Sequence, residues 1–203
     1  MDLSEWSALV VLGTVTSFTP GPNTTLSTAI AANQGWRRAM RFVLAVPVGW
    51  GLLLGSCSLG LGSLVLAWPA LRWGILGGGV VYLCWLAGRL WRTATLNVAQ
   101  DRLNVSFVQG VLLQFLNIKA WMLALSVVAG WIAGQPDALW RFAQVLPLML
   151  GFAFFSNLTY ALTGALLRQW LSQGQRLRWF NRCMSGALLM TAVWMVQSAR
   201  GVH

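Results

Sequence analysis

Ser17-Phe18-Thr19-Pro20-Gly21-Pro22-Asn23 interrupts an apolar run that enters from Leu9 and leaves through Thr24 to Ala32. Pro20 and Pro22 have no amide hydrogen to give to a helix, and Gly21 has the freedom to turn between them. In a water-soluble chain such a stretch is a turn. Within a membrane span, irregular backbone is tolerated only where other protein buries it or where it lines a wet cavity. The choice between these settings decides the fold class, and composition makes it.

Of 203 residues, 57% are apolar and 9% charged, and the mean hydropathy is +0.65. The four acids, Asp2, Glu5, Asp101 and Asp137, lie near a terminus or between apolar runs. A water-facing surface needs more charge than this. Thirteen tryptophans suit a chain held between water and lipid. A net charge of +10 raises the question of nucleic acid. The arginines, however, sit between apolar runs and not along one face, so a lipid bilayer is the expected surrounding and no nucleic-acid partner is expected. Met1 to Glu5 carries two acids and no basic residue, so the first apolar run is expected to stay as a span and not to be cleaved as a signal.

Enzyme chemistry finds no foothold. There is no phosphate-binding loop of the Walker type and no pair of carboxylates inside an apolar run. The lone histidine is His203, and Cys57, Cys84 and Cys183 lack metal-ligand spacing. The cysteines read as small buried hydrophobes. No disulfide, metal or other cofactor is expected.

About 20 mainly apolar residues cross a bilayer. Six runs qualify, at roughly 6–32, 42–68, 71–90, 107–132, 146–167 and 183–198. The fold class is therefore an all-α integral membrane protein of about six transmembrane helices, the first of them broken. Arg37, Arg38, Arg41, Arg89, Arg92, Arg102, Arg168, Arg176, Arg178 and Arg182 fall on one side, and Arg72, Arg141 and Arg200 on the other. The arginine-rich side is expected to be cytoplasmic, which puts both termini outside. The alternative loses one span and moves the C-terminus inside. Gln114-Phe115-Leu116-Asn117-Ile118-Lys119-Ala120 interrupts the fourth run as Thr19 to Asn23 interrupts the first. Each opens a group of three spans, so the chain reads as one transmembrane domain of two inverted three-helix repeats, roughly 1–95 and 105–203.

Broken helices at mid-membrane depth are where transporters hold small polar solutes. Thr19, Pro20, Gly21, Pro22 and Asn23 free backbone groups and expose the positive end of the next half-helix, which suits a carboxylate. Lys119 is a cation about twelve residues into its run, too deep to reach the interface easily. On a regular helix Asn117 and Lys119 would point about 200° apart, so both can face one cavity only if the helix unwinds there. In the fifth run Ser156, Tyr160 and Thr163 share a face, with Asn157 and Thr159 beside them; these either line a solute path or bond to neighbouring helices. Gly51 with Gly55, and Gly74 with Gly78, form GxxxG patterns expected to serve helix packing. Trp36, Trp68, Trp91, Trp131 and Trp140 lie near run ends and read as interface anchors.

Thr19-Pro20-Gly21-Pro22-Asn23 in the first span, a basic first loop and an Asn-x-Lys in the fourth span resemble the LysE/RhtB amino-acid exporters. The resemblance covers nearly the whole chain. Where that family commonly has Asn-Pro-Lys, this chain has Ile118, which leaves open whether span four breaks there. Gln114 to Lys119, Trp85-Leu86-Ala87 and Tyr160-Ala161-Leu162-Thr163-Gly164 are similar to the cysteine/O-acetylserine branch. The resemblance implies export of a small amino acid across a bacterial inner membrane, with proton antiport as the coupling. The helix breaks, the deep lysine and the polar face of the fifth run put Thr19 to Asn23, Gln114, Asn117, Lys119, Asn157 and Tyr160 at the expected substrate site. Proton relays in membranes usually run on Asp, Glu or His, and no expected span interior has one, so Lys119 would have to serve. The alternative function is a non-transporting scaffold or assembly subunit, which leaves a buried lysine and a double-proline break unexplained. The sequence leaves the oligomeric state open, a homo-oligomer included.

Overall fold

The computed structural model describes residues 1–93 and 104–200, without the side chains of residues 199 and 200. Asp101, Arg102 and His203, the junction between the two expected repeats, and the side chain of Arg200 lie outside the described residues. The helices are α1 (Leu3–Phe18), α2 (Pro22–Gln34), α3 (Trp36–Ser58), α4 (Leu61–Ala67), α5 (Pro69–Trp91), α6 (Phe107–Leu116), α7 (Ile118–Val127), α8 (Ala138–Leu171) and α9 (Arg176–Arg200). A π turn, Val128–Ile132, continues α7. No strand occurs among the described residues.

Among those residues, α3, α5 and α8 are each long and apolar enough to cross a membrane, and α6 with α7 passes as one span bent by 69°. α1 is apolar but shorter, with 16 residues. α8, with 34 residues, is about 51 Å long at 1.5 Å per residue, well beyond a hydrocarbon core of about 30 Å. The second expected run ends early: Gly60 (φ 101°) turns the chain after Ser58, and α4 follows as a separate short helix. The sixth begins early, because Arg176, Arg178 and Arg182 form the first turns of α9 and not a loop before it.

The distribution of side chains is that of a lipid-facing protein. Leu59, Leu166 and Val81 are 91%, 82% and 69% exposed, while Ser27, Asn33, Gln114 and Asn181 are fully buried. The centre is α2, in which every residue from Thr24 to Asn33 is buried. One cluster packs around it, with Leu26, Phe42, Leu83, Leu86, Leu113 and Leu188 at its heart. A second gathers Leu9, Leu53, Leu54, Trp121 and Met149 toward the other end. Of the cysteines, Cys57 is buried, whereas Cys84 and Cys183 are exposed and so are not the buried hydrophobes expected.

The two GxxxG patterns carry less of the packing than expected. Gly51 lies against Leu150 and Gly78 against Leu116, but a Cβ on Gly74 would meet nothing within 4 Å. The close backbone approaches occur elsewhere. A Cβ on Gly49 would lie 2.6 Å from the Val111 carbonyl oxygen, one on Gly79 2.1 Å from that of Leu116, and one on Gly164 2.3 Å from that of Thr28. These three glycines fix α3 on α6, α5 on the α6–α7 break, and α8 on α2.

At one end of the bundle Arg141 joins Glu5 (2.6 Å) and Asp137 (2.9 Å), and the Trp131 indole donates to the Glu5 carbonyl at 3.0 Å. This ties the start of α1 to the start of α8. The hydrogen bond from Arg141 holds the Asp137 carboxyl below its usual 3.8. A lowered folded-state pKa gives a contribution that is present above the unfolded value and lost as the pH falls through the folded one. The melting temperature in detergent should therefore stay level from pH 8 to 5 as far as this clamp is concerned, and fall below 3.8. Arg141→Gln should flatten that acid limb, which thermal melts at stepped pH can check.

Candidate functional site

Both breaks in the helices meet at one cavity. At the first, α1 stops at Phe18 and α2 starts at Pro22, with Thr19 and Gly21 extended between them. In an unbroken helix Pro20 and Pro22 would leave carbonyls without amide partners. Other elements supply partners here. The Tyr160 hydroxyl donates to the Phe18 carbonyl at 2.9 Å, and Lys119 Nζ donates to that of Thr19 at 3.0 Å. The Thr24 hydroxyl accepts from the Gly21 amide at 2.9 Å and starts α2.

The second break forms without a proline. Asn117 is extended (φ −98°, ψ 102°), and its side chain accepts from the Lys119 amide at 3.2 Å, an N-cap for α7. The Trp121 indole donates to the Phe115 carbonyl at 2.8 Å, replacing a helical bond. Gly79 lets α5 come against the Leu116 carbonyl where the chain turns. Ile118 is therefore compatible with a 69° bend.

The breaks are joined by a reciprocal amide pair. Asn23 Nδ2 donates to Gln114 Oε1 at 2.8 Å, and Gln114 Nε2 donates to Asn23 Oδ1 at 3.1 Å and to the Gly110 carbonyl at 3.1 Å. Gln114→Leu leaves the Asn23 amide unpaired and should lower stability by about 1–3 kcal/mol. Thermal melts should show it. Asn23→Ala should also cut transport, because Asn23 faces the cavity.

The cavity measures about 70 Å³. The first break lines it with Thr16, Ser17, Thr19, Gly21, Pro22, Asn23 and Thr24, and the second with Asn117, Lys119, Ala120 and Leu123. α3 adds Val46 and Trp50, and α8 adds Met149, Ala153, Ser156 and Asn157. The wall thus includes the first turns of both α2 and α7, the positive ends of two helix dipoles. Among the described residues, Lys119 is its single charged side chain. Asn157 is steadied by the Ser27 hydroxyl, which donates to its Oδ1 at 2.9 Å.

Of the residues expected at the site, Thr19, Gly21, Pro22, Asn23, Asn117, Lys119 and Asn157 border this cavity. The unwinding at Asn117 brings Asn117 and Lys119 to the same wall despite their spacing. Gln114 stands behind Asn23, and Tyr160 reaches the break from outside the wall. Pro20 faces a second groove toward α9, which shares Thr19, Gly21 and Lys119 with the cavity and adds Thr25, Ala187, Met190, Thr191 and Trp194. Thr159 and Thr163 are exposed and bond to their own helix, so the expected polar stripe reaches the cavity through Ser156 and Asn157 alone. Trp50, Thr16, Ser17 and Met149 were not foreseen. Trp50 offered one signal, as a tryptophan in mid-span and away from the interface where the residue is usually found.

Below the cavity, an amide pair joins the end of α2 to α9. Asn33 Nδ2 donates to Asn181 Oδ1 at 2.7 Å and Asn181 Nδ2 donates to Asn33 Oδ1 at 2.9 Å. Asn181 Nδ2 also donates to the Thr93 carbonyl at 3.0 Å, and the Ser185 hydroxyl to that of Ala87 at 2.8 Å. These contacts seal α2, α5 and α9 together toward the arginine-rich end.

Comparison with known proteins places the chain in a family. The cysteine/O-acetylserine efflux protein of Escherichia coli (strain K12) is 28% identical over 162 residues, covering 78% of this chain and 82% of that protein. The proteins of the same name from Shigella sonnei (strain Ss046) and Shigella flexneri serotype 5b match at the same identity and coverage. No solved structure matches. The model of the LysE type translocator matches residues 14–199, which takes in both breaks, the cavity between them and the amide seal beneath it, and the chain belongs to that family.

Proposed function

We propose that this chain is a secondary exporter that carries small neutral amino acids, of the cysteine and O-acetylserine kind, out across the bacterial inner membrane. It is a translocator and not an enzyme. The observation that carries the substrate class is the meeting of two helix N-termini and the Lys119 ammonium on one small cavity. Three sources of positive potential suit a carboxylate. Asn23, Asn117 and Asn157 offer amide groups to the substrate's ammonium and side chain. The wall holds no carboxylate to receive a basic side chain, which Lys119 would repel. About 70 Å³ holds about five water-sized groups, the scale of a small amino acid and not of a peptide.

The breaks also support the inverted-repeat plan. With α1 and α2 as one crossing and α6 and α7 as another, α3, α5, α8 and α9 complete six crossings, and each group of three opens on a broken helix. Repeat one then runs over roughly 1–95 and repeat two over roughly 105–203. With the arginine-rich end in the cytoplasm, both termini are periplasmic. Closed amide contacts toward that end support reading this as the state shut to the cytoplasm. Proton antiport is the coupling we propose, with Lys119 as the titratable group on the cavity wall.

Everted membrane vesicles containing the protein should accumulate labelled cysteine or O-acetylserine when an inward-acid pH gradient is imposed. Uptake no greater than in vesicles lacking the protein would sink the exporter reading. Uptake that ignores the gradient would sink the antiport alone.

A further inference from the structure

We propose that the arginine-rich end carries a built site for an anionic phospholipid, seated between the α2–α3 turn and the end of α8. A notch of about 420 Å³ lies there, lined by Gly35, Trp36, Ala165, Arg168, Gln169 and Ser172. Arg168 is half-buried in it, and its Nε is shut off from solvent with no hydrogen-bond partner. Basic pockets between helices at the cytoplasmic surface are where acidic headgroups bind.

Among the described residues, no carboxylate pairs with the charge around the notch. Arg37 and Arg38 occupy the first turn of α3, which contains no acid, although cations at a helix N-terminus oppose its dipole. No described carboxylate lies within ion-pair distance of Arg37, Arg38, Arg168 or Arg176, since the described ion pairs are those of Arg141 at the opposite end. A phosphodiester in the notch would offset this charge and, once the Arg168 side chain turns toward it, accept from the guanidinium.

The flanks favour a lipid over a free anion. Trp36 and Trp170 are 50% and 54% exposed, and Leu166, one turn from Trp170, is 82% exposed. They offer apolar surface to acyl chains beside the charged notch. Ring contacts hold the guanidinium groups at the same level: Arg37 lies 5.8 Å from the Trp36 centroid and Arg176 4.6 Å from that of Trp170. Tryptophans anchor at the headgroup depth, so the rim sits where lipid phosphates are. The notch also abuts Gly35, where the central helix α2 hands over to α3.

The test uses the full chain, purified and delipidated in detergent. It is titrated with phosphatidylglycerol, with phosphatidylcholine of the same chains, and with inorganic phosphate, and thermal stability is read at each step. Phosphatidylglycerol should raise the melting temperature, and the other two should not. Arg168→Gln should weaken the apparent affinity for phosphatidylglycerol about fivefold, as expected for one interfacial arginine, while Arg168→Lys should keep most of it. Equal responses to the two lipids, or a response to phosphate that matches phosphatidylglycerol, would overturn the lipid site. An unchanged affinity in Arg168→Gln would overturn its location. Should that variant not fold, Arg37→Gln on the exposed rim carries the same comparison.

Discussion

Lys119→Met should lower export by about two orders of magnitude at equal protein level in the membrane. The substitution removes the single charge on the cavity wall, and a charge-assisted hydrogen bond to substrate contributes about 1.5–3 kcal/mol. It also leaves the Thr19 carbonyl without the partner that Lys119 Nζ supplies at 3.0 Å. Methionine keeps the unbranched shape and all but the terminal atom of the side chain, so the loss is mainly one of charge and donor and not of packing. Lys119→Arg separates two roles. A guanidinium keeps the positive charge but does not give up its proton. It should retain substrate binding and lose the response to an imposed pH gradient. Export by Lys119→Met at the wild-type rate would remove Lys119 from the site.

The second large effect is on folding. Gly164→Val should lower the melting temperature by about 5–10 °C, which corresponds to about 2–3 kcal/mol for a chain of this size. Its Cβ would sit 2.3 Å from the Thr28 carbonyl oxygen, and a backbone atom cannot rotate away as a side chain can. Gly79→Val should behave likewise against Leu116, and it presses on the second break as well. Gly74→Val is the control. Nothing lies within 4 Å of its Cβ, so its melting temperature should stay near the parent's. Equal losses at Gly74 and Gly164 would mean that helix propensity, and not close approach, sets the cost.

That contrast shows what the sequence revealed and what it hid. The first break was legible because two prolines and a glycine announce it through local chemistry alone. The second was only half legible. Asn117 can cap a helix, but the bend also needs the Trp121 indole on Phe115 and the bare face of Gly79 against Leu116. Those contacts come from tertiary packing, and no spacing rule encodes them. GxxxG spacing likewise marked Gly74, which touches nothing, and passed over Gly164, whose partner lies on α2. The apolar runs gave the helices but not their ends. α9 absorbs three arginines from the expected loop because guanidinium groups stacked on tryptophan rings can occupy its first turns at the interface, as Arg182 does over Trp91 (5.1 Å) and Trp179 (5.3 Å). Gln114 and Asn23 stood out as polar residues at the two breaks, but that one holds the other was not legible.

Asn33 and Asn181 grip each other through four amide atoms, and neither carries a net charge. When they part, the two amides carry no charge of their own into the transmembrane field, which does about 2.3 kcal/mol of work per elementary charge per 100 mV. An arginine–carboxylate lock at the same place would tie that step to the membrane voltage and to salt. With amides it answers to neither, and water that enters the gap offers each group a replacement bond of similar strength. The amide pair itself is therefore a contact whose breaking costs the same in an energised cell and a depleted one, whereas Lys119 is a charge in the central cavity on which the field acts directly.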